Sequence, residues 1–341
     1  MKSAVHWKQV ATRWPVCLSA FLALSPTYVG WSEPGRDWTL ATPAAPWHSR
    51  VGHTSLVYNG KMWIILGDWG DGGDIWCSSN GSSWTRTLSR GPIGFRYRVA
   101  HTSVVYGGKM WVIGGAFDYG GTPFNDVWYS TNGTTWTLAT AHAQWAPRSA
   151  HASVVYDGKM WIIGGYDGSK WRNDVWYSTN GTTWRLATAR GPWSAGVYGH
   201  TALVFEAKMW VIAGNPYYNA AYSSNGTSWT VATGPWLNSL HGHGGVVCGR
   251  KMWVMGGLMP PPWFKSTNEV WSSTDGVTWG QVLPYGYAPW VPRENFAMVV
   301  HDRKMWILGG AYYTGSSTYY LNDVWYSQFP AETTAAWKLY R

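Results

Sequence analysis

The sequence is poor in cysteine and in charged residues. Of its 341 residues, three are cysteines, and Asp, Glu, Lys and Arg together make up 13%. Three cysteines spread along the chain give no disulfide framework. The net charge is +9, but the basic residues are scattered and form no lysine-rich block. Nucleic-acid binding is therefore not expected, because it needs a concentrated basic surface.

The sequence also lacks a long apolar run. The apolar stretch at residues 16–24 is too short to span a bilayer. It follows Lys2, Lys8 and Arg13, in the pattern of a secretory signal. We therefore expect residues 1–30 to be a leader, and the protein to be secreted or periplasmic with no stable membrane span. The alternative is a leader that is not a signal, which would leave the protein in the cytoplasm.

What the sequence does contain is a repeat. A unit of about 49 residues recurs six times, which is typical of a solenoid or a propeller and not of an ordinary globular domain. Residues that recur in every unit are expected to build the scaffold, and function is expected where the units differ. The marker of the unit is the tripeptide Lys-Met-Trp, at residues 61–63, 109–111, 159–161, 208–210, 251–253 and 304–306.

Each unit predicts four short strands, here named A to D. In the third unit, residues 151–163 form one predicted hairpin, turned by Asp157-Gly158, and residues 173–186 form a second, turned by Asn180-Gly181. Asp-Gly and Asn-Gly connections are typical of type I′ turns, whose two central residues both have positive φ. We therefore expect each unit to fold as a small antiparallel sheet.

Several spaced features recur together with these strands. An Arg and a His enter strand A, Gly-Lys-aromatic opens strand B, Gly-Gly ends it, Asn-Asp-Val-aromatic forms strand C, and a Trp opens strand D. This pattern resembles the Kelch repeat over residues 36–341. The resemblance implies an all-β, six-bladed propeller of four-stranded antiparallel blades. Unit four departs from it, with Ala213-Gly214 in place of Gly-Gly and no Asn-Asp pair, and unit six has Phe296 in place of the histidine.

The sixth unit has no Trp at the usual place in strand D. The N-terminal segment around Trp38 matches the strand D sequence around Trp136, and each of these Trp residues lies 15 residues before a strand A histidine. We therefore predict that the N-terminal strand completes the last blade and closes the ring, which hides the sheet edges. The alternative is closure by the segment around Trp337.

The predicted ligand-binding face carries the B–C and D–A loops. These loops are long, variable and rich in Trp, Tyr and Phe, and loops on a rigid scaffold commonly carry function. The alternative is that the rings fold back to fill gaps between blades. The candidate ligand-binding residues are Trp69, Tyr119, Trp171, Tyr217, Tyr218, Trp263, Phe264, Tyr312, Tyr313, Arg98 and Arg148.

The B–C loop of blade five is unlike the others, since it contains the three consecutive prolines 260–262. We predict a polyproline II stem that projects Trp263 and Phe264 beside a notch left by the short loop 215–219 of blade four. The alternative is that Trp263 lies flat over blade four and caps its core.

A ring of His and Arg residues is a second candidate site, at the mouth of the channel. His53, His101, His151, His200 and His243 open strand A, and Arg50, Arg98, Arg148 and Arg293 stand just before it. Such residues could bind a metal or an anion. The stronger interpretation is structural, with the Asn-Asp pairs of strand C as partners.

The function predicted from these observations is non-catalytic binding of a protein or a glycan. We expect a monomer and predict no cofactor and no metal. The alternative is an enzyme that acts on a sugar with the His/Arg ring, in the manner of a sialidase, an epimerase or an oxidase. Some Kelch-like propellers are copper radical oxidases, but neither Cys77 nor Cys248 lies in a loop of the variable face. The segment 130–136 is one residue short of a sialidase Asp-box.

Overall fold

The computed structural model describes residues 33–330, apart from 68–72, 93, 96, 194–195, 217–218, 233–239 and 260. The chain divides into one unit of residues 1–31 and a second of residues 32–341. The expected leader therefore lies outside the described residues. In the described part, no helix is long and apolar enough to cross a membrane.

The described residues form six four-stranded antiparallel sheets, which are the blades of a propeller, as predicted. Blade one contains β2 (Thr54–Tyr58), β3 (Lys61–Ile65), β4 (Ile75–Ser78) and β5 (Thr85–Leu88). Blade two contains β6 (Thr102–Tyr106), β7 (Lys109–Ile113), β8 (Val127–Ser130) and β9 (Thr137–Thr140). Blade three contains β10 (Ala152–Tyr156), β11 (Lys159–Ile163), β12 (Val175–Ser178) and β13 (Arg185–Thr188).

The remaining blades follow the same order. Blade four contains β14 (Thr201–Phe205), β15 (Lys208–Ile212), β16 (Ala220–Ser223) and β17 (Thr230–Ala232). Blade five contains β18 (Gly244–Cys248), β19 (Lys251–Met255), β22 (Val270–Ser273) and β23 (Gly280–Leu283), with a small hairpin of β20 (Leu258–Met259) and β21 (Lys265–Ser266). Blade six contains β24 (Ala297–His301), β25 (Lys304–Tyr313), β26 (Thr318–Gln328) and β1 (Thr39–Thr42). The innermost strands β2, β6, β10, β14, β18 and β24 contact one another in a closed ring around the channel.

The ring closes as predicted, through the N-terminal strand. Strand β1 pairs antiparallel with β26, so it is strand D of blade six. Trp38 is buried there, with its ring 5.8 Å from that of Trp290 in a T-shaped contact, and its Nε1–H donates to the Gly35 carbonyl. The rival closing residue, Trp337, lies outside the described residues.

The A–B turns are two-residue hairpins with positive φ at both central positions, as predicted for Asp157-Gly158. The same conformation occurs without glycine at Glu206-Ala207 and Asp302-Arg303, where an L-residue adopts it less readily. The type I′ prediction for the C–D turns is wrong. Asn180 Oδ1 accepts the N–H groups of residues 182 and 183, and Ser178 Oγ accepts that of residue 181. Residues 179–184 therefore form a wider loop built on an Asx turn.

The C–D turn also explains why Trp recurs in Lys-Met-Trp. The glycine of each C–D turn lies flat against the strand B Trp of the preceding blade, so close that a Cβ atom would overlap the ring. This contact joins neighbouring blades all the way round. The pairs are Gly81 with Trp306, Gly133 with Trp63, Gly181 with Trp111, Gly226 with Trp161, Gly276 with Trp210 and, from the N-terminal segment, Gly35 with Trp253.

Candidate functional site

The arginines at the start of strand A are buried and paired within their own blades. Arg148 donates from Nη1 to Asp174 Oδ1 at 2.8 Å and from Nη2 to Oδ2 at 3.0 Å. Burial alone would raise the pKa of Asp174, but these hydrogen bonds outweigh it and hold the pKa below its usual range. The same bidentate or near-bidentate pairing joins Arg50 to Asp74, Arg98 to Asp126 and Arg293 to Asp323.

This placement corrects the prediction for Arg98 and Arg148. Both side chains are completely buried, so neither can contact a ligand at the surface. A buried arginine with one carboxylate is already neutralised and offers no free charge to an anion. The interpretation in which the Asp of strand C is the partner agrees with this geometry.

The strand A histidines are also internal. His151 Nε2 lies 3.0 Å from Thr102 Oγ1 in the preceding blade, and His53 Nε2 lies 3.0 Å from the Leu308 carbonyl oxygen. Burial lowers the pKa of His53 and of His200 to about 3 and that of His243 to about 4. The histidines are therefore neutral at pH 7. In the part of the chain that the structure describes, no group of three His, Cys, Asp or Glu residues could hold a metal ion.

A closed ring of six backbone hydrogen bonds lies at the mouth of the channel. Each N–H donates to the carbonyl of the corresponding residue in the preceding blade, at 2.7–3.1 Å, and the last bond returns to the first residue. All six residues have φ between 49° and 65°. Small side chains suit this crowded left-handed backbone. The ring consists of Gly52, Ala100, Ala150, Gly199, Gly242 and Asn295.

The residue before each ring member occupies an equivalent place in every blade. In blades two to six its backbone bridges to the residue that follows the glycines of strand B. The side chain, by contrast, is of five different types in six blades: Val51, Val99, Ser149, Tyr198, His241 and Glu294. The fold thus holds one backbone position constant and varies its side chain around the channel mouth. We call these six residues the variable ring.

Five members of the variable ring, all except Val51, and the B–C loops of blades two and three surround a cavity of about 710 Å³. Tyr119 and Trp171 stand on its wall, 49% and 42% exposed. Trp171 stacks on Tyr198, with ring centroids 5.8 Å apart and planes 12° apart, and Tyr198 lies 5.9 Å from the ring of His241. The hydrogen-bonded ring members Ala100, Ala150, Gly199, Gly242 and Asn295 also line this cavity and form its floor.

Glu294 is the acidic member of the variable ring. The equivalent residues of blades four and five, Tyr198 and His241, line this cavity with their rings, and Glu294 lines the same space. It is 9% exposed, and among the described residues no cation or hydrogen-bond donor contacts its carboxyl group. Burial raises its pKa to about 7.

The predicted aromatic residues divide into three groups. Tyr119 and Trp171 line the cavity. Trp69, Tyr217 and Tyr218 lie outside the described residues. The other four lie elsewhere on blades five and six and do not line this cavity: Trp263, Phe264, Tyr312 and Tyr313.

The blade five loop differs from its prediction. Residues 261–263 form a turn, so this part of the segment is not a polyproline II stem. Trp263 is 53% exposed at this turn, which does not agree with a cap over blade four. The hairpin contacts blade six, where the Tyr313 N–H donates to Ser266 Oγ at 2.9 Å. The predicted notch in blade four includes residues 217–218, which are not described.

Sequence reasoning missed Glu294 and His241. The signal was present in the four-residue frame that enters strand A, which reads Arg-x-small-His in blades one to three. Three of its four positions recur because they build the scaffold. The remaining position x varies, and it is the one that faces the cavity.

Comparison with known proteins agrees with this architecture. The solved structure of YjhT is similar in fold, with a TM-score of 0.68 and 17% identity over 83% of this chain and 96% of that chain. At that identity the likeness concerns the fold alone. A comparison with curated protein sequences gave no significant match. The family model of the KLHDC2/KLHL20/DRC7 Kelch-repeats domain matches residues 52–230, which is more than half of the chain. The protein therefore belongs to the Kelch-repeat family.

Proposed function

We propose that this protein is a non-catalytic binding propeller that takes a segment of a partner into the cavity at the channel mouth. The observation that carries the proposal is the variable ring. A binding site on a repeated scaffold must use positions whose side chains can change without loss of the fold, and the variable ring provides such positions. The cavity also has the volume of a typical ligand site.

A protein partner is the first choice, since Kelch propellers generally bind proteins. A glycan is the second, and the flat stack of Trp171 on Tyr198 favours it, because a sugar ring can lie against an aromatic face. A sugar-processing enzyme that uses the His/Arg ring is not favoured. Those side chains are buried, and the arginines are already paired.

The proposal extends to the setting in which the protein works. The leader expected at residues 1–30 supports a role outside the cytoplasm. We also propose that the protein works as a monomer. N-terminal sequencing of the protein isolated from its native source tests the first point, since a mature chain that begins at residue 1 would contradict secretion. Sedimentation of the purified protein tests the second.

The experiment compares variants on two surfaces. Wild-type protein is screened against a peptide-display library and a glycan array, and each hit is measured again with Trp171→Ala and Tyr119→Ala. We expect losses of at least tenfold in affinity, because both rings stand on the cavity wall. Trp263→Ala is the matched control, as it removes a ring of comparable exposure away from the cavity. Binding that depends on Trp263 but not on Trp171 would place the site elsewhere.

A further inference from the structure

We infer that the group seated on the floor of the cavity is an organic ammonium, bound by the Glu294 carboxylate among the surrounding aromatic rings. The inference rests on the proposed function, since it names the ligand chemistry of the same cavity. It is independent of whether the ammonium belongs to a protein or to an amino sugar.

The first argument is the isolation of Glu294. More than nine-tenths of the residue is buried, yet no described residue donates a hydrogen bond or a positive charge to its carboxyl group. The neighbouring Arg293 cannot serve, because its Nη1 and Nη2 both donate to the Asp323 carboxylate at 2.8 Å. A buried carboxylate is costly unless a cation or donors satisfy it. A cationic ligand supplies the missing partner.

The second argument is the character of the walls. Tyr119, Tyr166, Trp171 and Tyr198 surround the cavity, and the faces of such rings attract ammonium groups. When Glu294 is ionised, the wall carries two acidic side chains, Asp118 and Glu294, and one basic side chain, Lys170. The cavity is then net negative in a protein whose overall charge is +9. This local reversal disfavours an anionic ligand.

The ionisation of Glu294 makes the inference testable by pH. A cation binds the carboxylate and not the carboxylic acid, so binding should strengthen as Glu294 ionises around pH 7. The titratable or charged groups that face the same cavity are Asp118, Lys170, His241 and the three tyrosines. Of these residue types, histidine is the one that ordinarily titrates near pH 6–7. A protonated histidine would repel the cation, so it would also weaken cation binding at low pH, in the same direction as protonation of Glu294. The effects of Glu294 and His241 must therefore be separated by mutation.

The experiment uses two matched pairs of probes with the full-length protein, in saturation-transfer NMR and titration calorimetry. Nα-acetyl-lysine amide is compared with Nα-acetyl-norleucine amide, and glucosamine is compared with glucose. We expect each cation to bind at least tenfold more tightly than its neutral twin. The better of the two cations tells whether the natural ammonium comes from a protein or from an amino sugar.

Glu294→Gln keeps the shape of the side chain and removes its charge. We expect it to weaken cation binding at least tenfold at pH 8 and to leave the neutral probes unchanged. For wild-type protein, cation affinity should rise about tenfold between pH 6 and pH 8. That rise should disappear in Glu294→Gln and persist in His241→Gln. Trp263→Ala, on the turn of blade five and outside the cavity lining, is the control for a change away from the site.

The inference is overturned if the neutral twins bind as well as the cations, if no cation binds, or if Glu294→Gln retains full affinity at pH 8. These results leave the proposed function intact as long as library hits still depend on Trp171. If the library hits are insensitive to Trp171 and Tyr119, the proposed function itself fails.

Discussion

The buried Arg and His residues at the start of strand A, here called the belt, lie within four residues of the variable ring in the sequence, yet the two sets follow opposite rules. In the belt, the same Arg–Asp pair is built four times from residues in equivalent positions. In the variable ring, the backbone bridge recurs while the side chain changes from Val99 to Glu294. The contrast teaches that repetition marks stability in this chain and that variation on a fixed backbone marks recognition.

The largest expected effect is the loss of stability at low pH, which tests the histidines of the belt together. Five strand A histidines have pKa values lowered by burial, three of them to about 3 or 4. The unfolded chain takes up protons below pH 6.5 while the folded chain does not, so stability is full above 6.5 and falls as pH decreases toward the folded values. Each of the three histidines with a folded pKa of about 3 or 4 costs about 2 kcal/mol at pH 5. We expect unfolding between pH 4 and 6 by circular dichroism, and a flat stability down to pH 4 would contradict the account.

The next effect breaks one buried ion pair. Arg148→Met leaves Asp174 charged and without its guanidinium, which should lower the free energy of unfolding by about 3–5 kcal/mol. Urea titration at pH 7 measures it. Ser149→Ala changes the adjacent residue of the variable ring and should cost less than about 1 kcal/mol. Equal losses in the two variants would remove the distinction between the belt and the variable ring.

The contact between blades gives a slightly smaller effect. Gly133→Ala places a Cβ against the ring of Trp63 at a φ of 75°, which should cost about 2–4 kcal/mol. Gly108→Ala is the matched control, because its φ is 69° and open space surrounds it. It should cost only the backbone strain, about 1 kcal/mol. The difference between the two melting curves isolates the contact with Trp63.

Glu294 of the variable ring should make stability depend on pH in the opposite direction to the strand A histidines. The folded pKa of Glu294 is raised to about 7 by burial, so its carboxyl group favours folding less as pH rises from 4.5 to 7. Glu294→Gln removes that loss and should stabilise the protein by about 1–3 kcal/mol at pH 8. At pH 6, where the protein is still folded, the gain should be smaller by about 1 kcal/mol, because part of the Glu294 carboxyl group is protonated in the folded chain. A variant that is less stable than wild type at both pH values would show that Glu294 supports the scaffold.

The smallest effect concerns the turns on the opposite face. Ala207 has a φ of 53° at the position where Gly158 stands in blade three. Ala207→Gly should raise the free energy of unfolding by about 0.5–1 kcal/mol, since the relief of strain exceeds the added freedom of the unfolded chain. Gly158→Ala should lower it by a similar amount. Thermal unfolding of the two variants measures both, and changes of the same sign would rule out turn strain as the cause.

Much of the fold could be predicted from the sequence because each repeated contact leaves a repeated residue. Lys-Met-Trp located strand B, Asp157-Gly158 identified the A–B turn, and Trp38 identified the closing strand. The C–D turn was misassigned because Asn-Gly serves two geometries. In a type I′ turn the asparagine backbone has positive φ, whereas Asn180 caps the turn with its side-chain oxygen.

The site was harder to predict, for a physical reason. Tyr119 and Trp171 were found because aromatic residues in loops are conspicuous, and their role as ligand contacts stays a prediction. Arg98 was misplaced because its partner Asp126 is 28 residues away and its burial depends on the whole ring. Glu294 was missed because it is surrounded by scaffold residues, and its isolation from any cation emerges only from the packing of several blades.

The pairing of β1 with β26 has a consequence for how the molecule forms. These strands are separated by more than half of the chain, so blade six stays incomplete until the other five blades have brought the two ends round to each other. Contacts of such long sequence separation form slowly. Until then, β26 presents an unpaired edge that another copy of the chain could occupy. The time during which a newly made molecule can be lost to aggregation is therefore set by the arrival of a single four-residue strand.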